Sequence, residues 1–101
     1  MNHFYFKPTT DEMESVDSII FNSKVSSDLI IDLSSINSIE KLNLSMLLKV
    51  NEYFVSRNFC MVLVTDSLSS IPDKESLNIV PSLVEAEDYI QMEQIQRDLG
   101  I

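Results

Sequence analysis

The sequence predicts an α/β protein with three main helices and about four strands in a mostly parallel or mixed sheet. Two short, continuous apolar runs, residues 29–33 and 59–65, are typical of strands that are covered on both faces. A helical pattern at residues 41–57 lies between them, so the three segments form a βαβ unit whose strands are parallel. A length of 101 residues fits a single domain, residues 1–101, around one hydrophobic core.

The remaining elements extend this unit in both directions. Residues 2–7 carry three consecutive aromatic side chains and are predicted to form a strand. A capping box, Thr9 with Glu12, precedes a helix over residues 10–22. A polar loop over 66–76 leads to a short strand at 77–80. A second capping box, Ser82 with Glu85, begins a helix over 82–99, which Gly100 ends.

Apolar residues at helical spacing predict which side of each later helix faces the core. In the helix over 41–57 this side carries Leu44, Leu47, Leu48, Phe54 and Val55. In the last helix it carries Leu83, Ala86 and Ile90. Asn58 is predicted to end the middle helix in the left-handed conformation, a role that glycine takes more often.

Composition excludes several classes of function. A net charge of −9 disfavours nucleic acid and anionic membranes as partners, and it leaves two interpretations: solubility, or an acidic face that binds a basic protein. The chain has one glycine, which disfavours a glycine-rich phosphate-binding loop. The lone Cys60 cannot form an internal disulfide, and no signal peptide or apolar run of membrane-spanning length is evident. A cytoplasmic protein is therefore expected.

No group of residues in the sequence has the pattern of a catalytic, cofactor or metal site. His3 lies near the N-terminus, and Cys60 has no second thiol or evident histidine partner. Asp32 ends a strand as a phosphate-accepting aspartate does, but the acidic pair that such a site needs is missing from residues 4–7, so binding of loop N–H groups is favoured. The acidic residues of the last helix are spread around it rather than converging. We expect no enzyme and no cofactor.

Four segments of the chain resemble the STAS domain of bacterial anti-sigma-factor antagonists. Residues 28–36 (DLIIDLSSI) are similar to the family's strand and following loop, and residues 39–48 (IEKLNLSMLL) align without a gap with its "iDSSGlgvLl" motif. Residues 59–65 match its next strand, and residues 79–88 (IVPSLVEAED) resemble the start of its last helix. The resemblance implies a regulatory module that binds a protein.

The same alignment places Leu42 where the family has its phosphorylated serine. Leucine has no hydroxyl group, so the resemblance implies a divergent member without the standard switch. Glu40, Lys41 and Asn43 replace the neighbouring Asp, Ser and Gly of the motif. The expected partner-binding surface is Ser38, Glu40, Lys41, Leu42, Asn43 and Ser45. Ser38 is favoured as a helix cap and Ser45 as an ordinary helix residue, and modification of either serine is the alternative.

The last helix supports an alternative function. Eighteen residues span about 27 Å at 1.5 Å each, so its distal end is predicted either to extend beyond the core or to pack against the first strand or helix. In the first case it presents an apolar edge, which would make the chain a structural subunit or homodimer. The residues of that edge are Met92, Ile95, Leu99 and Ile101.

Overall fold

A parallel four-stranded sheet forms the centre of the protein, whose computed structural model describes residues 3–36, 44–66 and 77–100. Within these ranges the strands are β1 (His3–Phe6), β2 (Asp28–Asp32), β3 (Met61–Val64) and β4 (Asn78–Val80), and they lie in the order β1-β2-β3-β4. Each neighbouring pair is parallel. The predicted α/β class is confirmed, and the sheet is parallel throughout rather than mixed.

Three helices connect or follow the strands in the described chain. A 3₁₀ turn at Asp11–Ser15 continues into α1 (Val16–Asn22), so the helix predicted over 10–22 begins with the tighter geometry. The other two are α2 (Leu44–Ser56) and α3 (Leu83–Asp98). The first residues predicted for α2 and most of the predicted loop over 66–76 lie outside the described residues.

The two faces of the sheet bury different cores. Alternate residues of a strand point to opposite faces, so Leu29 and Ile31 meet α1 and α2 while Ile30 meets α3. The connections from β1 to β2 and from β2 to β3 both step in the same direction across the sheet. Because each is a right-handed crossover, α1 and α2 lie on the same face. The core under them is the larger and includes Met13, Val16, Ile20, Leu47, Val50, Phe54, Met61 and Leu63. The core under α3 comprises Ile30, Cys60, Val62, Val64, Ala86 and Ile90.

Helical spacing correctly predicted some, but not all, of the helix residues that face the core. Leu47, Phe54, Ala86 and Ile90 are buried as expected. Val55 and Leu83 are exposed, so their predicted core positions were wrong. Val55 lies at the edge of the apolar side of α2, and Leu83 is the first residue of α3, so both lie where the packing of their helix against the sheet ends.

The predicted helix ends are confirmed by hydrogen bonds and dihedral angles. Thr9 N–H donates to Glu12 Oε1 at 2.9 Å, and Glu12 N–H donates to Thr9 Oγ1 at 3.3 Å. At α3, Glu85 N–H donates to Ser82 Oγ at 3.3 Å. Asn58 has a φ of 65°. Local sequence therefore determines where these helices begin and end.

Replacing the cap of α3 tests this local control. Ser82→Ala removes the acceptor for Glu85 N–H, and we expect the free energy of unfolding to fall by about 1 kcal/mol. Urea denaturation followed by circular dichroism measures the change. Ser18→Ala, on the exposed side of α1, is the matched control and should change stability by less than about 0.5 kcal/mol. Equal losses for the two variants would contradict a capping role.

Candidate interaction surface on the last helix

A buried ion pair fixes the position of α3 on the sheet. Asp28, the first residue of β2, is 2% exposed, and Arg97 Nη2 donates to both of its carboxylate oxygens at 2.8 Å. Gln94 Nε2 donates to Asp28 Oδ2 at 2.8 Å, and Cys60 N–H donates to Oδ1 at 2.9 Å. Arg97 Nη1 also donates to the carbonyl of Asn58 at 2.9 Å. The last turns of α3 are thus attached to the start of β2 and the segment before β3.

The charged state of this carboxylate depends on its partners. Burial acts to raise the pKa of Asp28, but the hydrogen bonds from Arg97, Cys60 N–H and Gln94 outweigh it and hold the pKa below its usual value. The Cys60 thiol is buried near the same carboxylate. Burial, followed by the charge of Asp28, raises the pKa of Cys60 to about 12. The thiolate is therefore scarce at neutral pH, and Cys60 is a packing residue rather than a nucleophile.

A second set of hydrogen bonds holds the middle of α3. Tyr89 Oη donates to Asn78 Oδ1 at 2.9 Å, and Asn78 Nδ2 donates to the carbonyl of Met61 at 3.2 Å. These bonds connect α3 to β4 and β3. Together with the Asp28–Arg97 pair, they set both the position of α3 and its rotation about its own axis.

That rotation leaves three large apolar side chains in solvent. Met92, Ile95 and Leu99 are 58%, 45% and 68% exposed. At about 100° per residue they fall within roughly 60° on the side of the helix opposite Ala86 and Ile90. Val84 is exposed and extends the same side toward the start of the helix. We call Val84, Met92, Ile95 and Leu99 the outer stripe.

Only some of the residues predicted as a partner surface lie in the part of the chain that the structure describes. Ser38, Glu40, Lys41, Leu42 and Asn43 lie outside the described residues, as does Ile101. Ser45 lies in the first turn of α2 and is exposed. The predicted residues that the structure brings together are Met92, Ile95 and Leu99. The sequence left open whether this helix end extends beyond the core or packs against the first strand or helix. In the structure the end is attached to the start of β2 and the segment before β3, and these three side chains point away from the sheet.

Sequence reasoning missed Asp28, Gln94 and Arg97. The sequence did indicate that Arg97 faces the sheet. It lies seven residues after Ile90, which lies four residues after Ala86, and these spacings put all three on one side of a helix. Asp28 directly precedes an apolar run and resembles a turn residue in sequence. Since β2 begins at Asp28 rather than at Leu29, its side chain enters the interior, which sequence pattern alone does not indicate.

Asp32 binds loop N–H groups at the opposite end of β2. It accepts a hydrogen bond from Ser34 N–H at 2.9 Å, as the sequence predicts, and a second from Tyr5 Oη. Burial acts to raise its pKa, but the bonds from Tyr5 and Ser34 and the charge of Lys7 lower it. The bond to Asp32 raises the pKa of Tyr5 to about 12. Asp32 thus joins β1 to the turn after β2.

A shallow cleft of about 600 Å³ lies between the ends of α1 and α2. The Phe21 and Tyr53 rings are 4.8 Å apart, and the Arg57 guanidinium lies 4.4 Å from the centroid of Tyr53. Lys24 also lines the cleft. The helix ends beside it place carbonyl groups there, which reduces its attraction for anions.

Comparisons with known proteins add no assignment. No family model matches the chain, and no curated protein matches it significantly. Among the described residues, no group of three or more His, Cys, Asp or Glu side chains could hold a metal ion. In the same ranges, no helix has both the length and the apolarity needed to cross a bilayer.

Removing one member of the ion pair should destabilise the fold. Arg97→Gln leaves Asp28 buried without its cation, and we expect a loss of about 3 kcal/mol in the free energy of unfolding, with Arg97 being one-third exposed. Urea denaturation measures this loss. Lys49→Gln removes an exposed cation 3.9 Å from Asp17 and should cost less than about 0.5 kcal/mol. In a double-mutant cycle with Asp28→Asn, the two losses should not add. Additive losses would show that the pair is not coupled.

The same pair should make stability depend on pH. The pKa of Asp28 is lower in the folded state than the value of about 3.9 expected when unfolded. Its stabilising contribution is therefore complete above about pH 4 and is lost as pH falls through the folded-state pKa. We expect the wild-type chain to lose more unfolding free energy than Asp28→Asn between pH 6 and pH 3. Denaturation curves across that range measure it, and identical acid dependence would contradict this assignment.

Proposed function

We propose that this chain is a small STAS-like module that binds a protein partner and catalyses no reaction. The observation that carries the proposal is the outer stripe of α3. Apolar side chains of this size cost free energy in water, and their concentration on one side of a firmly attached helix is typical of a binding surface. We further propose that the chain acts in the cytoplasm, which the buried, unreactive Cys60 supports.

The resemblance to anti-sigma-factor antagonists adds a second proposed contact region. Ser45 is exposed at the start of α2, and it follows directly on the segment that carries Glu40, Lys41, Leu42 and Asn43. Leu42 cannot accept a phosphoryl group. Binding is therefore proposed to depend on partner concentration rather than on phosphorylation at the family's position. No cofactor, nucleic acid or membrane forms part of this proposal.

A second candidate function uses the same stripe between copies of this chain. Met92, Ile95 and Leu99, with Ile101 following them in sequence, would form the interface of a homodimer or structural assembly. The exposure of the three described side chains supports this candidate as well as the first. The identity of the molecule that contacts α3 separates the two.

Site-specific photo-crosslinking in the native cells tests both candidates. A photoreactive residue replaces Ile95, Leu99 or Ser45 in turn, and replaces Val55, which is exposed on α2, as the control. We expect one partner, identified by mass spectrometry, to crosslink at positions 95 and 99 and not at 55. Crosslinks between two copies of the chain at 95 and 99 would support the homodimer instead. Equal crosslinking at all positions would contradict a defined interaction surface.

A further inference from the structure

We infer that the outer stripe of α3 binds a basic amphipathic helix of the partner protein, an inference that rests on the proposed interaction function. The charges around the stripe are the first reason. Within α3, which is described throughout, Arg97 is the sole cation, and it points inward to Asp28. The exposed side of the helix therefore carries no positive charge. The carboxylates of α3 are Glu85, Glu87, Asp88, Glu93 and Asp98, of which Glu85, Asp88 and Asp98 are exposed.

The arrangement of these carboxylates defines what the partner must present. Glu85, Asp88 and Asp98 are exposed. Glu85 and Asp98 lie beside the two ends of the stripe, whereas Asp88 lies on the stripe itself, four residues from both Val84 and Met92. A partner helix with apolar residues along one side and Lys or Arg beside them would cover Met92, Ile95 and Leu99 and place a cation near each carboxylate. The chain's net charge of −9 would also attract such a partner over distances beyond direct contact.

The same charges disfavour a second copy of α3 as the occupant. In an antiparallel pair of identical helices, Glu85 and Asp88 of one copy approach Asp98 of the other. Like charges at these positions repel, and inward-facing Arg97 cannot compensate for them. Two chains that each carry a net charge of −9 repel each other at longer range as well.

The size of the stripe sets the expected affinity. Sixteen residues form a helix about 24 Å long, and one side of such a helix offers an interface at the small end of the range for specific complexes. Small interfaces of this kind are transient, with dissociation constants in the region of about 1–100 μM. The affinity should therefore fall measurably when one apolar side chain or the nearby negative charges are removed.

Titration of the full-length chain with designed peptides tests this inference. The probe is an 18-residue helical peptide with Leu along one side and Lys on both flanks of the Leu residues. One control peptide has the same composition in scrambled order, and another has Glu in place of every Lys. Nuclear magnetic resonance locates the contact, and calorimetry measures affinity at two salt concentrations. We expect binding of the probe alone, with shifts confined to residues 83–99.

Matched variants of the chain assign that binding to the stripe and to its flanking charges. Ile95→Gln should weaken binding at least tenfold. Val55→Gln on α2, where the side chain is 55% exposed against 45% for Ile95, should leave binding unchanged. Circular dichroism verifies that both variants fold. The double variant Glu85→Gln with Asp88→Asn should weaken binding about threefold and reduce its dependence on salt.

Four outcomes of the titration would overturn the inference. They are no binding of the basic peptide, equal binding of the scrambled peptide, shifts located in the α1–α2 cleft, and equal affinities for Ile95→Gln and Val55→Gln. Self-association of the free chain that Ile95→Gln abolishes would identify a second copy as the occupant and also overturn it. The proposed function is judged separately by the crosslinking experiment. A partner crosslinked at Ile95 together with a failed titration would leave the function standing and reject the basic helix.

Discussion

The position of α3 depends on one buried carboxylate. Asp28 is almost wholly inaccessible to water, and an ionised group in such a place costs several kcal/mol unless it is paired and hydrogen-bonded. Arg97, Gln94 and the N–H group of Cys60 supply those bonds. Two of the three partners come from α3, so the sheet and the last helix are stable only in this relative position.

These polar contacts are needed because α3 has few buried apolar residues to hold it against the sheet. Ala86 and Ile90 are its buried hydrophobic residues, whereas α1 and α2 share a much larger core on the other face. Nondirectional apolar contacts would permit α3 to rotate or slide. Hydrogen bonds from Arg97 and Tyr89 are directional and do not. The polar contacts therefore determine which side chains of α3 face solvent.

The outer stripe follows from the same geometry. With Arg97 turned inward, the positions opposite it are Met92, Ile95 and Leu99, and the exposed carboxylates Glu85, Asp88 and Asp98 lie on or beside the same side of the helix. A polar interior contact thus creates an apolar and acidic exterior surface. A helix with few buried apolar residues can therefore be firmly placed and still expose large apolar side chains to solvent.

The sequence by itself determined the elements and their order. Continuous apolar and aromatic runs predicted the strands, and helical spacing of apolar residues predicted the helices. The capping boxes at Thr9 and Ser82 and the left-handed Asn58 predicted helix ends, because these features arise from contacts within a few residues. The absence of a hydroxyl group at Leu42 can also be read directly from sequence. Periodicity predicted the stripe as apolar, but it left open whether the helix end leaves the core.

The tertiary structure alone decided that Asp28 and Arg97, 69 residues apart, meet in the interior. Helical spacing places Arg97 on the same side of α3 as Ala86 and Ile90, but no sequence pattern assigns Asp28 to the interior or identifies it as the partner of Arg97. Their pairing depends on β2 starting at Asp28 and on α3 running back along the sheet from β4, and no local pattern contains that information. The side of α3 that faces solvent is set by this long-range contact.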